Sequence, residues 1–232
     1  MAHKYQKISE TIENQIAQGL YDQKLPTEDE LIQSFGVSRN TIRKAIEILV
    51  KKGYIIPIQG SGMFIRDVSS NGVNLENFRG LTVDYPNHEI GTELLIFTTL
   101  NAPVEIAKAM QCEVGTELYH VVRLRRIDNT PWVIEYSYFN KTLIPYLNRE
   151  IIEHSIYHYI RTTIKHQLGY VDRIIEAGKL GAHDASLLGL NEGDPSLISI
   201  NKAMFKTGEI FDYSINIHNY KHARFLKLSN FL

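Results

Sequence analysis

Between Ser38 and Lys44 the chain carries Ser38, Arg39, Asn40, Thr41, Arg43 and Lys44, interrupted only by the apolar Ile42. An arginine can bond the O6 and N7 of guanine with both arms of its guanidinium, and an asparagine can read adenine. Short hydroxyls and a helix N-terminus hold phosphate oxygens. Further along, Arg123 and Arg125 stand two residues apart, a pair suited to forking around a phosphate or carboxylate. Each set also has a plainer reading. The first could be a solvated helix face and the second a surface ladder on a strand. The elements around them decide which.

Tyr5, Ile8, Ile12 and Ile16 recur every three or four residues and predict a first helix ending near Gly19. Thr27 followed by Glu30 is a capping box that opens a short second helix carrying Leu31, Ile32 and Phe35. Gly36 stops that helix and Ser38 caps the next, whose buried stripe is Ile42, Ala45, Ile46 and Leu49. Residues 54–58 and 63–66 read as two strands around the turn Gly60-Ser61-Gly62. The result is a helix-turn-helix followed by a two-stranded wing, with the Arg39–Lys44 cations on the outer face of the third helix. N-terminal residues of such a helix reach base edges in the major groove, which favours the DNA reading. The small wing tip fits a simple hairpin turn and close approach to a minor groove equally well.

The net charge of −1 hides an asymmetry. Residues 1–66 hold nine Lys/Arg and seven Asp/Glu, net +2, which leaves 16 of the 25 basic and 19 of the 26 acidic residues to the remainder, net −3. The polar stretch 67–77 between them reads as a linker. One cysteine, Cys112, excludes an internal disulfide and a thiolate metal cluster. No apolar run approaches the roughly 20 residues that span a bilayer, and the N-terminus lacks a signal-peptide core. A cytoplasmic protein with no membrane partner is expected.

These residues resemble the DNA-binding domain of the GntR family of bacterial transcription regulators. The resemblance rests on Leu25-Pro26-Thr27-Glu28-Asp29-Glu30-Leu31, on Val37-Ser38-Arg39-Asn40-Thr41-Ile42-Arg43 and on Gly60-Ser61-Gly62. It implies that Arg39, Arg43 and Gly60 contact operator DNA while Ser38 and Thr41 bond phosphates. Thr27, Glu28, Asn40, Lys44, Ser61 and Gly62 complete the expected DNA-facing set.

Beyond residue 78 the pattern alternates strands and helices. Strands are predicted at 94–100, 118–127, 132–139, 171–179, 197–205 and 210–219, and helices at about 103–110, 155–164 and 182–188. The expected body is α+β around a mixed or antiparallel sheet, spanning 78–232. Strand alternation puts Val121, Arg123 and Arg125 on one face, while Glu135 sits with Val133 and Ser137 across the turn, able either to pair with the arginines or to accept from a ligand hydroxyl. The last strand alternates Asp212, Ser214, Asn216 and His218 with apolar residues, a pattern usual for a solvent-facing strand. The order Arg123-Leu124-Arg125, Pro131, Glu135 and Ser155-Ile156-Tyr157 is similar to the effector-binding (UTRA) domain of the HutC subfamily of GntR regulators, a fold like chorismate lyase.

That resemblance implies a small-molecule effector, most simply a sugar phosphate, held by Arg123, Arg125, Ser155 and backbone amides of Phe78-Arg79-Gly80-Leu81. Glu135, Tyr157, Asp212 and His218 would face the rest of the ligand. The sequence departs from the family with Asp212 where Glu is usual and His218 where Tyr is usual. A homodimer on a palindromic operator is expected, because one small head offers few phosphate contacts. An amine, amino-acid derivative or phosphonate effector is the alternative. An enzyme is disfavoured: there is no nucleophile elbow, no Gly-rich phosphate loop opening a helix, and no metal-ligand spacing among the nine histidines. His120, His154, His158, His166, His183 and His218 are expected to be surface or core residues, and no cofactor or metal is expected. A DNA-binding protein with no effector is the third reading.

Overall fold

The structure is a computed structural model that describes residues 4–66, 73–75, 81, 85 and 88–227. The chain divides into two compact units, residues 1–78 with 224–232 and residues 79–223.

In the first unit, α1 (Lys4–Ala17), α2 (Glu28–Phe35) and α3 (Arg39–Lys51) precede the antiparallel pair β1 (Ile55–Ile58) and β2 (Gly62–Ile65). The apolar stripes read from the sequence converge: Ile8, Ile12 and Ile16 pack with Leu31, Ile42, Ala45 and Leu49 in one core. Thr27 caps α2 in a complete capping box with Glu30, and Gly36 ends it at φ 59°, a left-handed value that glycine adopts without steric cost. Ser38 caps α3 by accepting from the Thr41 N–H. The wholly buried Glu13 meets Lys52 at 2.8 Å and ties α1 to the end of α3.

Two strand residues, Val73–Asn74 (β3), lie within the stretch expected to be linker and pair in parallel with Phe225–Leu226 (β10). Phe225 and Leu226 therefore pair within the first unit, although the expected body spans 78–232. This pairing is between residues some 150 positions apart, and nothing local announces it.

The second unit is built on six strands, β4 (Ile90–Asn101), β5 (Glu117–Ile127), β6 (Thr130–Asn140), β7 (Leu168–Lys179), β8 (Pro195–Phe205) and β9 (Ile210–Asn219). They form one sheet in the order β4-β5-β6-β9-β8-β7, every pairing antiparallel. β4 is longer at both ends than expected. The predicted 155–164 helix is a single α-turn, α6 (Ile156–Tyr159), continued as a π-helical turn over Ile160–Ile164. With α5 (Arg149–Glu153) it covers one sheet face, where Ile152, Ile156 and Ile160 pack on Val121, Phe139, Ala203 and Phe205. The other face is covered by α4 (Val104–Met110), packed on Leu118 and Ile210, and by α7 (Ala182–Leu188), packed on Val122, Leu124 and Ile134.

Candidate functional site

On α3, Arg39 and Arg43 project into solvent, and Glu28 of α2 lies between them: Arg39 Nη1 is 3.4 Å and Arg43 Nε 3.0 Å from Glu28 Oε2. Arg39 Nη2 also meets Asp29 Oδ1 at 2.5 Å. Glu28, expected only as a DNA-facing residue, thus holds both guanidiniums side by side on the exposed surface. Asn40 is exposed on the same first turn, whereas Lys44 turns toward α1, 5.7 Å from the Tyr5 ring. The Ser38 and Thr41 hydroxyls lie 2.9 Å from each other, engaged in the cap. At the wing tip Gly60 and Gly62 have φ of 76° and 109°, which explains glycine there, and Lys24 Nζ donates to the Ser61 carbonyl at 3.2 Å. Thr27 is exposed, and its side chain is spent on the α2 cap.

The second set lies on the α5/α6 face of the body sheet. β5–β6 register sets Arg123 opposite Glu135, β6–β9 sets Glu135 opposite Asn216, and β9–β8 sets Asn216 opposite Ser199. One row across four strands is therefore Arg-Glu-Asn-Ser, with adjacent strands roughly 4.8 Å apart. Arg123 and Arg125 are 7% and 6% exposed, so they are not a surface ladder. Arg123 Nη2 approaches Glu135 Oε2 at 2.6 Å and its Nη1 donates to the Ile152 carbonyl at 2.7 Å, while Arg125 Nη1 is 3.7 Å from the same Glu135 oxygen. Burial alone would raise the Glu135 carboxyl; the two guanidiniums outweigh it and hold it below the usual carboxylate range. Burial lowers Arg125 despite Glu135.

The polar face of β9 is not solvent-facing either. Asp212 and Ser214 are buried. Tyr157 Oη donates to Asp212 Oδ2 at 2.6 Å, and burial pushes the Asp212 carboxyl up to about 7 against the opposing pull of that bond and of Arg123. His218 Nε2 sits 2.9 Å from Ser199 Oγ; burial and then the charge of Arg173 hold its imidazole down, to about 4. Ser155 caps α6 by accepting from the His158 N–H. The half-buried Leu81 accepts from the Tyr85 N–H through its carbonyl, and Phe78, Arg79 and Gly80 lie outside the described residues.

Sequence reasoning missed three members of this field. Arg173 Nε donates to Asn201 Oδ1 at 2.6 Å, and Asn201 Nδ2 reaches Ser214 Oγ at 3.3 Å. Asn201 and Ser199 are almost fully buried. The available signal was Ser199-Ile200-Asn201, polar residues alternating inside an apolar strand. Among the described residues, the buried atoms Arg123 Nε, Arg125 Nε, Asp212 Oδ1 and Asn216 Oδ1 have no hydrogen-bond partner. Such groups are costly in a core, and each calls for an explanation. The described residues hold no cluster of His, Cys, Asp and Glu fit for a metal. No helix among them is long and apolar enough to cross a membrane.

Comparison with known proteins agrees with both halves. The gntR family of bacterial regulatory proteins matches residues 4–65, and the UTRA domain matches residues 86–224. The uncharacterised HTH-type transcriptional regulator YydK of Bacillus subtilis is 33% identical over 98% of each chain. Its crystal structure superposes with a TM-score of 0.82 over 99% of this chain and 100% of that one, at 31% identity. The HTH-type transcriptional regulator GmuR of B. subtilis is 30% identical over 98% of each chain. The mannosyl-D-glycerate transport/metabolism system repressor MngR of Escherichia coli is 29% identical over 97% of this chain and 96% of that one. These relatives are regulators, not enzymes. A reading helix beside a wing, and a polar field inside an α+β body, thus belong to a member of the GntR family with a UTRA domain, a DNA-binding transcriptional regulator.

Proposed function

We propose that the protein is a homodimeric cytoplasmic repressor that grips a palindromic operator through two α3 helices and is released when a sugar phosphate binds the polar field of the body. Arg39, Asn40 and Arg43 read bases, and the wing tip Gly60-Ser61-Gly62 lies along the backbone or minor groove. Two heads on half-sites about one helical turn apart supply the phosphate contacts that one head of net +2 lacks. The observation that carries the effector reading is the buried pair Arg123 and Arg125, each with an unpartnered Nε, beside the acceptor atoms Asp212 Oδ1 and Asn216 Oδ1. Cations at one end and neutral hydrogen-bonding groups at the other fit an anionic headgroup on a hydroxylated body. The name of MngR, a repressor of a system for a sugar-acid conjugate, supports the same chemical class. Effector and operator must then oppose each other reciprocally, typically by about 1–3 kcal/mol.

The test is a thermal-shift screen of sugar phosphates, with each hit assayed for release of the protein from operator DNA. A compound that binds the fold and not the unfolded chain raises the melting temperature. Arg123→Ala should stay on DNA at effector concentrations that release the natural protein; normal release of that variant would refute the assignment. If amines or amino-acid derivatives stabilise and release the protein while sugar phosphates do not, the effector class changes and the DNA mechanism stands.

A further inference from the structure

Glu135 occupies the position that an incoming anion would need. Its Oε2 is the carboxylate oxygen nearest to both Arg123 and Arg125. The clasp is lopsided: both approaches fall on one oxygen, and the Arg125 contact is long at 3.7 Å. The paired-fork geometry that makes arginine–carboxylate bonds strong is absent. Asp212, the other acid in the field, is engaged by Tyr157 instead.

We propose that Glu135 is a built-in stand-in for the effector's anion, clasping Arg123 and Arg125 until an effector both displaces it and supplies hydroxyl groups to receive it. The inference rests on the sugar-phosphate reading above and deepens it into a rule of selectivity. A phosphate brings more charge and more oxygens to the two guanidiniums than one carboxylate does, so it competes well for them. A bare phosphate, however, leaves the freed Glu135 carboxylate buried and uncompensated, which is strongly unfavourable. The register shows where the carboxylate can go. Asn216 is directly opposite on β9, with His218 two pairs further along on the same face. His218 is already close enough to interact with the Glu135 charge. A ligand hydroxyl placed there can donate to Glu135, while a neighbouring hydroxyl donates to the unpartnered Asn216 Oδ1. Only a molecule carrying an anion and hydroxyls on one frame satisfies both ends. Inorganic phosphate, abundant in any cell, is thereby rejected.

The test uses the full-length protein, calorimetric titration, and as probes inorganic phosphate, a panel of hexose 6-phosphates and the parent hexoses. Glu135→Gln keeps the side-chain volume and removes the competing charge. The variant should bind inorganic phosphate at least about tenfold more tightly than the natural protein, the worth of one charged hydrogen bond, and its preference for a hexose 6-phosphate over phosphate should shrink by a similar factor. A second arm needs no variant. In the natural protein, inorganic phosphate and the free hexose matching the best-bound 6-phosphate should tighten each other's binding by at least about fivefold, because one ejects Glu135 and the other receives it. Phosphate affinity unchanged in Glu135→Gln, or independent binding of phosphate and hexose, would overturn the inference while leaving the sugar-phosphate reading intact. If Glu135→Gln does not fold, the second arm decides. If no hexose 6-phosphate binds the natural protein and Arg123→Ala changes no titration, the underlying reading fails and takes this one with it.

Discussion

Replacing Asp212 by Asn should change how the body's stability responds to pH. The Asp212 carboxyl is raised from 3.8 to about 7 by burial, with Tyr157, Arg123 and Glu135 as the groups that face it. A group whose folded pKa is raised stabilises most below its unfolded pKa, and that contribution is lost as pH climbs to the folded one. Here the window runs from about pH 4 to about pH 7. Some three decades of proton affinity, at about 1.4 kcal/mol each, set a ceiling of ~4 kcal/mol. His218 works in the opposite sense. Its imidazole is lowered from 6.5 to about 4, so the unfolded chain holds a proton that the fold does not, and stability rises with pH through that window. In the natural protein these two contributions should therefore largely offset each other from pH 4 to 6.5, leaving the rise from His120, whose imidazole burial also lowers. In Asp212→Asn the amide oxygen can still accept from Tyr157, the carboxyl contribution vanishes, and the His218 rise of up to ~3 kcal/mol should no longer be offset. The assay is urea unfolding at a series of pH values followed through Trp132, the sole tryptophan, which lies in β6 of the body. Transition midpoints, not intensities, are compared, because Trp132 stacks on the His222 ring at 4.8 Å. Parallel midpoint-versus-pH curves for the two proteins would refute the placement of a neutral, buried Asp212.

Two further outcomes separate the halves of the molecule. Arg39→Ala should weaken operator binding by about 1–3 kcal/mol and leave stabilisation by sugar phosphates unchanged, measured by gel shift and thermal shift on the same preparation; loss of both responses would show that the two functions are not divided between the units as argued. Gly169→Ala should destabilise the body by about 1–3 kcal/mol in urea, because a Cβ there would meet the Phe205 carbonyl at 2.6 Å and the Lys206 nitrogen at 2.7 Å at the β7–β8 bulge, where backbone must move. A neutral result would mean that the bulge is looser than the structure has it.

The head was almost wholly readable from sequence because its determinants are local. Thr27 caps through a residue three positions on, Gly36 and Ser38 mark a break and a restart, and Ile42, Ala45 and Leu49 repeat at helical spacing. What the sequence did not show there is tertiary: Glu28 reaches 11 and 15 residues ahead to hold Arg39 and Arg43. In the body, Arg123, Arg125 and Glu135 were legible together because a tight hairpin sets them in register across a short turn. The β9 acids and amides were legible as a row, yet alternation cannot distinguish water from a protein interior, and Asp212 and Ser214 turned out to be buried. Arg173, Ser199 and Asn201 escaped because they enter the field only through the strand order β9-β8-β7, which periodicity does not encode. The linker was half legible: its polar composition was plain, and its pairing with Phe225–Leu226 was not.

The two ends of the α5/α6 sheet face do different work, and the division explains why a buried polar field is tolerable. At one end Phe139, Ala203, Phe205 and Phe211 make a dry core with Ile152, Ile156 and Ile160 above it. At the other, the same strands carry Arg123, Glu135, Ser199, Asn216 and His218. Apolar burial at the first end anchors the helices that roof the second, and Arg123 bonds the Ile152 carbonyl of that roof directly. On the proposed assignment, a ligand that draws Arg123 toward its own anion would pull on the segment that also contributes Ile152 to the core. On that assignment effector occupancy and the packing of α5 would be linked through one side chain, a structural route out of the site that does not require the sheet itself to move.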